Sequence, residues 1–182
     1  MSRYYLMASL PTLTLGSAPT ISYGQFRAAC AAQLGRRELS ELDALGESVG
    51  RPAGRFARRW SERETRLRNA IARARAARLE TDAAPFVRPE TGVDMALLQA
   101  VAGAFARHTP AERELDLDRI RWAALDELGG LSPFSAEAVL AYALKLKLCE
   151  KWAALAPEPG RRAADAAVAA LAQTAPAPER QG

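Results

Sequence analysis

The chain has 182 residues, of which 49% are hydrophobic and 25% are charged, and its formal net charge is +4. This length suits one domain or two small lobes, and the ordinary balance of apolar and charged residues excludes wholesale disorder. Two cysteines, Cys30 and Cys149, are too few for a disulfide framework or a zinc centre. We therefore expect buried free thiols in a reducing cytoplasm.

The first apolar run is YYLMASLP, residues 4–11. It is too short for the apolar part of a secretion signal, which takes about 7–15 residues, and only Arg3 precedes it as a basic flank. No run in the chain approaches the roughly 20 apolar residues of a membrane span, so we expect a cytoplasmic protein. Taken alone, the run fits a short helix or a strand equally well, and Pro11 ends it in either case.

Apolar residues then recur at spacings of three and four, while Val and Ile are few. This pattern predicts an all-α fold, an irregular bundle of six or seven helices. Segment 21–34 begins with a capping box formed by Ser22 and Gln25, and segment 38–49 carries leucines at every third position. The stretch 46–54, which contains glycines and Pro52, is expected to break the helical pattern.

The most basic segment, 54–80, is predicted to be one helix or to restart at Ser61, where Ser61 and Glu64 have the spacing of a capping box. Residues 81–89 form a linker with two prolines. The next helix is expected to start at Thr91-x-x-Asp94. Its predicted buried positions are Val93, Leu97, Leu98, Val101 and Phe105.

Thr109, Pro110 and Glu112 have the pattern of a helix start, and Gly129–Gly130 that of a helix end. The following helix, up to about residue 155, has little polar face, and we expect its Tyr142 and Trp152 in the core. Residues 1–156 are therefore predicted to form a helical domain, either one body or two lobes with a break near 81–90. Residues 157–182 are predicted to be an Ala-rich helix and a disordered tail.

No catalytic constellation is found in the sequence. The single histidine, His108, is explained by a favourable position at a helix C-terminus. The carboxylates of Glu112, Glu114, Asp116 and Asp118 are spread around their helix and are expected to be solvated. Phosphate-binding loops, nucleophile motifs and metal-ligand spacings are absent, so we expect a protein that is not an enzyme and that uses no cofactor or metal.

The segment from Arg51 to Arg78 contains ten arginines against Glu62 and Glu64. Such a local charge is compatible with a solvated long helix in an arginine-rich chain, with an acidic protein partner, or with nucleic acid. No aromatic residues alternate with the arginines to stack on bases. A nucleic-acid-binding or adaptor protein that uses helix 55–78 is therefore the alternative hypothesis.

Three segments resemble a known family. YYLMASLP followed by ISYGQFRAAC, the stretch ETRLRNAIARAR, and FSAEAVLAYALKLKLCEKWAAL are similar to an uncharacterised bacterial family encoded with V-type ATPase subunits. That family in turn resembles the C subunit (also called the d subunit) of V-type, or archaeal-type, ATPases. The residues that carry the resemblance are Tyr4, Tyr5, Leu6, Leu10, Glu64, Arg68, Asn69, Val139, Leu140, Ala141, Tyr142, Leu144, Leu148 and Glu150.

The resemblance implies a fold related to a lobe of that C subunit, although this chain is too short for three full lobes. It implies a non-catalytic subunit or accessory factor of a bacterial V-type ATP synthase, which docks the central stalk on the proteolipid ring. The protein would then lie in the cytoplasm, peripheral to the inner membrane, without a small-molecule substrate and without nucleic acid. The expected partner-binding residues are Tyr4, Tyr5, Arg63, Arg66 and Arg73.

Overall fold

A computed structural model describes residues 3–46, 54–90 and 92–155. Over these ranges the chain forms seven α-helices and one short 3₁₀-helix, and none of the described residues lies in a strand. The predicted all-α fold is confirmed. The helices are α1 (Arg3–Ser9), α2 (Tyr23–Gln33), α3 (Arg36–Gly46), α4 (Gly54–Arg78), α5 (Met95–Phe105), α6 (Pro110–Gly129) and α7 (Ala136–Ala154), and the 3₁₀-helix is Ala84–Phe86.

Side chains cap the starts of α2, α5, α6 and α7. The Ser22 hydroxyl accepts from the Gln25 amide, and the Gln25 side chain in turn accepts from the Ser22 amide, which is the predicted capping box of α2. Thr109 and Glu112 make the same reciprocal pair at α6. The predicted stop at Gly129–Gly130 is also found, with Gly130 at a φ of 72° that favours glycine.

One open alternative is decided and one predicted start is wrong. Helix α4 runs unbroken through Ser61, so the first of the two predictions for this segment, a single helix, is confirmed and Ser61 does not cap a helix. Helix α5 begins one turn later than predicted, because the Asp94 carboxylate accepts from the Leu97 amide and so makes Asp94 the cap. Val93 precedes this cap and is 70% exposed instead of buried, while Thr91 lies outside the described residues.

The larger hydrophobic cluster, called here the first core, lies among α1, α2, α3, α6, α7 and the start of α4. Helix α7 supplies much of it, and Gly129 lets α6 approach α7 closely, since a Cβ there would meet the Ala141 Cβ at 3.3 Å. Phe26 and Cys30 are fully buried in it, as the helical face of α2 predicted. Its buried members are Leu6, Phe26, Cys30, Leu42, Phe56, Leu125, Leu128, Val139, Leu140, Ala141, Ala143 and Leu146.

A smaller cluster, the second core, lies between the middle of α4, α5 and the first half of α6. Its buried members are Leu67, Ala70, Ile71, Val101, Ala104 and Leu117. Helices α4 and α6 thus contribute to both cores. The predicted helix and tail at 157–182, and most of the predicted break at 46–54, lie outside the described residues.

Candidate partner-binding surfaces

The predicted tyrosines lie on the surface at the start of the chain. Tyr4 and Tyr5 are 59% and 68% exposed, whereas Leu6, the next residue of α1, is buried in the first core. The Tyr4 ring contacts the ring of Phe134, with centroids 4.4 Å apart. Arg3 pairs with Glu38 of α3 at 2.7 Å. The short helix is therefore held in place while its tyrosines face outward.

The predicted arginines Arg63, Arg66 and Arg73 all lie on α4. Arg63 pairs with Glu127 of α6 at 2.8 Å, and Arg73 pairs with Glu90 at 2.6 Å. Arg66 forms no ion pair with any described residue. The structure therefore divides the five predicted contact residues between two surfaces, one aromatic and one basic.

A groove beside Arg66 opens between α4, α5 and α6, with a volume of about 310 Å³. We call it the α4–α6 groove. Its floor is apolar, with Trp60 and Leu67 from α4, Leu97 from α5 and Ile120 from α6. Its charged residues are Arg63, Glu64, Arg66, Asp94, Arg121 and Glu127.

An ionic network that the sequence did not predict joins α4, α6 and α7. Asp118 is fully buried, which contradicts its expected place on a solvated face. Its carboxylate accepts from Arg121 at 2.9 Å, from Lys151 Nζ at 2.7 Å and from Trp152 Nε1 at 2.8 Å. Arg121 also donates to Glu64 at 3.1 Å. This network is satisfied internally, as buried charges require.

Other carboxylates of the predicted cluster are also engaged. Glu114 accepts from Lys151 at 2.6 Å, and Asp116 pairs with Arg107 and Arg119. Burial opposes the charge on Lys151, but its hydrogen bonds to Asp118 and Glu114 outweigh burial and raise the pKa of this amine above its usual value. Only the position of α7 relative to α6 reveals the two pairs of Lys151, since this residue is 33 residues from Asp118 in the chain.

Asn69 is a second polar side chain that is buried. Its Nδ2 donates to the Arg88 carbonyl and its Oδ1 accepts from the Arg88 amide, both at 2.9 Å. The Asn69 amide thus satisfies both the N–H and the C=O of Arg88 in the linker. Together with the Arg73–Glu90 pair, it ties the linker to α4. All three residues of ETRLRNAIARAR that carry the resemblance therefore have partners: Glu64 pairs with Arg68 and Arg121, and Asn69 pairs with Arg88.

The cysteines are free and buried, as predicted. Burial raises the pKa of the Cys30 thiol to about 12, and burial also raises the pKa of Cys149. Reactive cysteines need the opposite environment, one that favours the thiolate. Both side chains therefore act as small apolar residues of the interior.

Two further predictions concern the aromatic residues and the histidine. Tyr142 and Trp152 are half-buried, and each uses its polar atom: Tyr142 Oη donates to the Pro11 carbonyl at 2.9 Å, and Trp152 donates to Asp118. His108 is exposed in the short connection between α5 and α6.

Within the described ranges no three side chains of the metal-binding types gather, and no helix there is long and apolar enough to cross a membrane.

Comparison with protein families gives a match over part of the chain. A family model described as "Protein of unknown function (DUF2764)" matches residues 90–173, slightly less than half of the chain. The matched region contains α5, α6 and α7, and with them Asp118, Lys151 and Trp152 of the ionic network. Neither a curated protein nor a solved structure matches the chain. The family description names no activity or partner.

Proposed function

We propose that this chain is a non-catalytic subunit or accessory factor of a bacterial V-type ATP synthase, which docks the central stalk to the membrane ring. The observation that supports the proposal is the proximity of two of the three segments that resemble the ATPase-associated family; the third, residues 64–75, lies along the second core. Residues 4–11 and 134–155 are at opposite ends of the helical region, yet they pack together in the first core.

Specific contacts join these segments. Tyr142 of α7 donates to the carbonyl of Pro11 across 131 residues of chain. The Glu150 carboxylate accepts from the Tyr23 amide at 2.7 Å, which places a negative charge at the N-terminus of α2. Both Tyr142 and Glu150 belong to the resembling segment. Their partners lie in the N-terminal resembling segment: Pro11 in YYLMASLP and Tyr23 in ISYGQFRAAC. The matching residues of the two segments therefore fix one another's positions.

The exposed aromatic residues suit a docking role. Tyr4 and Tyr5 are largely exposed, and the Phe134 ring, which contacts Tyr4, is partly exposed beside them. Aromatic side chains are enriched at protein–protein interfaces because they bury a large area with few rotatable bonds. We propose this aromatic surface, together with the arginines of α4, as the contacts with the stalk and the ring. Such a role places the protein at the cytoplasmic face of the inner membrane and needs no cofactor.

Co-purification tests the proposal. The protein, carrying an affinity tag at its native locus, should recover the catalytic and proteolipid subunits from solubilised native membranes. The double variant Tyr4→Ala/Tyr5→Ala should lose at least ten-fold of this recovery, while Leu79→Ala, which truncates an exposed apolar side chain at the end of α4, should retain it. A complete and active ATPase that lacks this protein, in cells that express it, would refute the proposed role.

The alternative, binding of nucleic acid by helix 55–78, has one observation in its favour. Arg55, Arg58 and Arg59 are exposed at the start of α4 and form no ion pair with the described residues. Neutralised phosphates release counterions, so such binding would weaken steeply with salt. Filter binding of single- and double-stranded DNA and RNA at low salt tests this function. Absence of binding there would eliminate it.

A further inference from the structure

The boundary between the two cores contains little buried apolar surface. In α4, which is described throughout, no residue is buried between Ala57 and Leu67. In α6, also described throughout, Asp118 is the only residue buried between Leu117 and Leu125. The α4–α6 groove, with its volume of about 310 Å³, opens at the same level of both helices. Apolar packing therefore holds each core together but contributes little between them.

The ionic network crosses this boundary. On one side, Lys151 and Trp152 of α7 donate to Asp118 at 2.7 and 2.8 Å, and α7 supplies buried residues only to the first of the two cores. On the other side, Arg121 links Asp118 to Glu64, with distances of 2.9 and 3.1 Å. Glu64 lies on α4 one turn before the second core begins. The network therefore connects a helix of the first core to the part of α4 that enters the second.

Hydrogen bonds of this kind permit one arrangement of the helices. The Asp118 carboxylate is fully buried and accepts from three different side chains. A small displacement of α6 from α7 would break these bonds before water could replace them, and a buried charge without partners is costly. Partial separation of the two cores is therefore disfavoured while the network is intact.

We propose that the ionic network is a latch between the two cores: while it is intact they open together, and once it is broken α5 and the linker open while the first core stays folded. The second core is the part that opens, because it has six buried members against twelve in the first core. Local opening begins where few apolar contacts are buried. Such a latch needs no ATPase partner, so it is independent of the docking function proposed above.

Hydrogen exchange under native conditions, followed by mass spectrometry, measures the opening of each core in the purified full-length chain. Amides of α2 report on the first core, and amides of α5 report on the second. Val101→Ala truncates a buried side chain of the second core. With the network intact, this change should accelerate exchange of the slowest amides of both helices by the same factor, at least about ten-fold, because both exchange only when the whole protein opens.

Asp118→Asn breaks the latch with little change of shape, because its amide N–H₂ group turns donors towards Lys151 or Trp152, which are donors themselves. In this background Val101→Ala should accelerate exchange in α5 at least about ten-fold more than in α2. Glu64→Gln weakens only the α4 end of the network and should shift the two helices in the same direction by a smaller factor. This milder variant decides the question if Asp118→Asn does not fold.

Asp116→Asn is the matched control, since it removes the same charge from α6 but its ion pairs join exposed arginines. With this variant both helices should still respond equally to Val101→Ala. Unequal responses with the network intact would show that the cores open separately in spite of it. Equal responses in Asp118→Asn, or in Glu64→Gln if the first variant does not fold, would show that α4 and α6 couple the cores without it. Either result would overturn the proposed latch.

Discussion

The two cores of this protein are stabilised in different ways. The first core buries large apolar side chains such as Phe26, Leu42 and Leu146 with none of their surface exposed. The second core is smaller, and two of its six buried members are alanines. Both buried polar residues of the described chain, Asn69 and Asp118, directly adjoin members of the second core in sequence. A region with little apolar area thus depends on internal hydrogen bonds and ion pairs to fix its helices.

The largest expected effect comes from the first core. Phe26→Ala removes a fully buried ring that contacts Tyr142, and the cavity left should lower the free energy of unfolding by about 4 kcal/mol. Urea denaturation followed by circular dichroism measures this. Phe86→Ala, which truncates a ring 71% exposed, serves as the control and should change stability little. Similar losses in both variants would contradict the burial of Phe26.

Asp118→Ala tests the dependence of the second region on its ionic network. Removing this carboxylate leaves the Trp152 N–H without its acceptor and two cations with fewer partners, which should cost about 3 kcal/mol. The control is Asp116→Ala, whose ion pairs join exposed arginines and should contribute under about 1 kcal/mol. If the two variants unfold at the same urea concentration, Asp118 is not the centre of a buried network.

Asn69→Ala tests the attachment of the linker. It deletes both hydrogen bonds to Arg88 and should lower the free energy of unfolding by about 1.5 kcal/mol. Protease cleavage within 81–90 should become faster, because the linker loses its tie to α4. Arg73→Ala removes only the partly exposed pair with Glu90 and should have a smaller effect on both measurements. Unchanged cleavage in Asn69→Ala would show that the linker is held by other contacts.

The smallest expected effect is a change of stability with pH, caused by Cys30 in the first core. Burial raises the pKa of Cys30 from 9.0 to about 12, so the unfolded chain loses this proton at a lower pH than the folded one. The stability associated with the protonated thiol is complete below about pH 9 and is lost as pH rises towards about 12. Between about pH 7 and 10 the stability of the wild type should therefore fall by about 1 kcal/mol more than that of Cys30→Ala. Leu42 is equally buried but does not titrate, so Leu42→Ala should lose the same amount of stability between about pH 7 and 10 as the wild type does.

Much of the fold could be predicted from local chemistry. The capping boxes at Ser22 and Thr109 and the glycines after α6 are signals of neighbouring residues, and they set helix ends in the structure as they do in peptides. Where the prediction failed, a competing local cap decided: Asp94 begins α5 in place of Thr91. At Ser61 the favourable spacing had no effect, since the helix already continued through it.

The candidate surfaces required the tertiary structure. The sequence alone determined the helices, the absence of familiar catalytic motifs, and the tyrosines and arginines as candidates for contact. Only packing decided that Arg63 and Arg73 are paired while Arg66 is not, that Asp118 is buried, and that a groove remains open beside α5. The reason is physical: a helix cap depends on residues three or four positions apart, whereas an ion pair such as Asp118–Lys151 depends on how two helices cross.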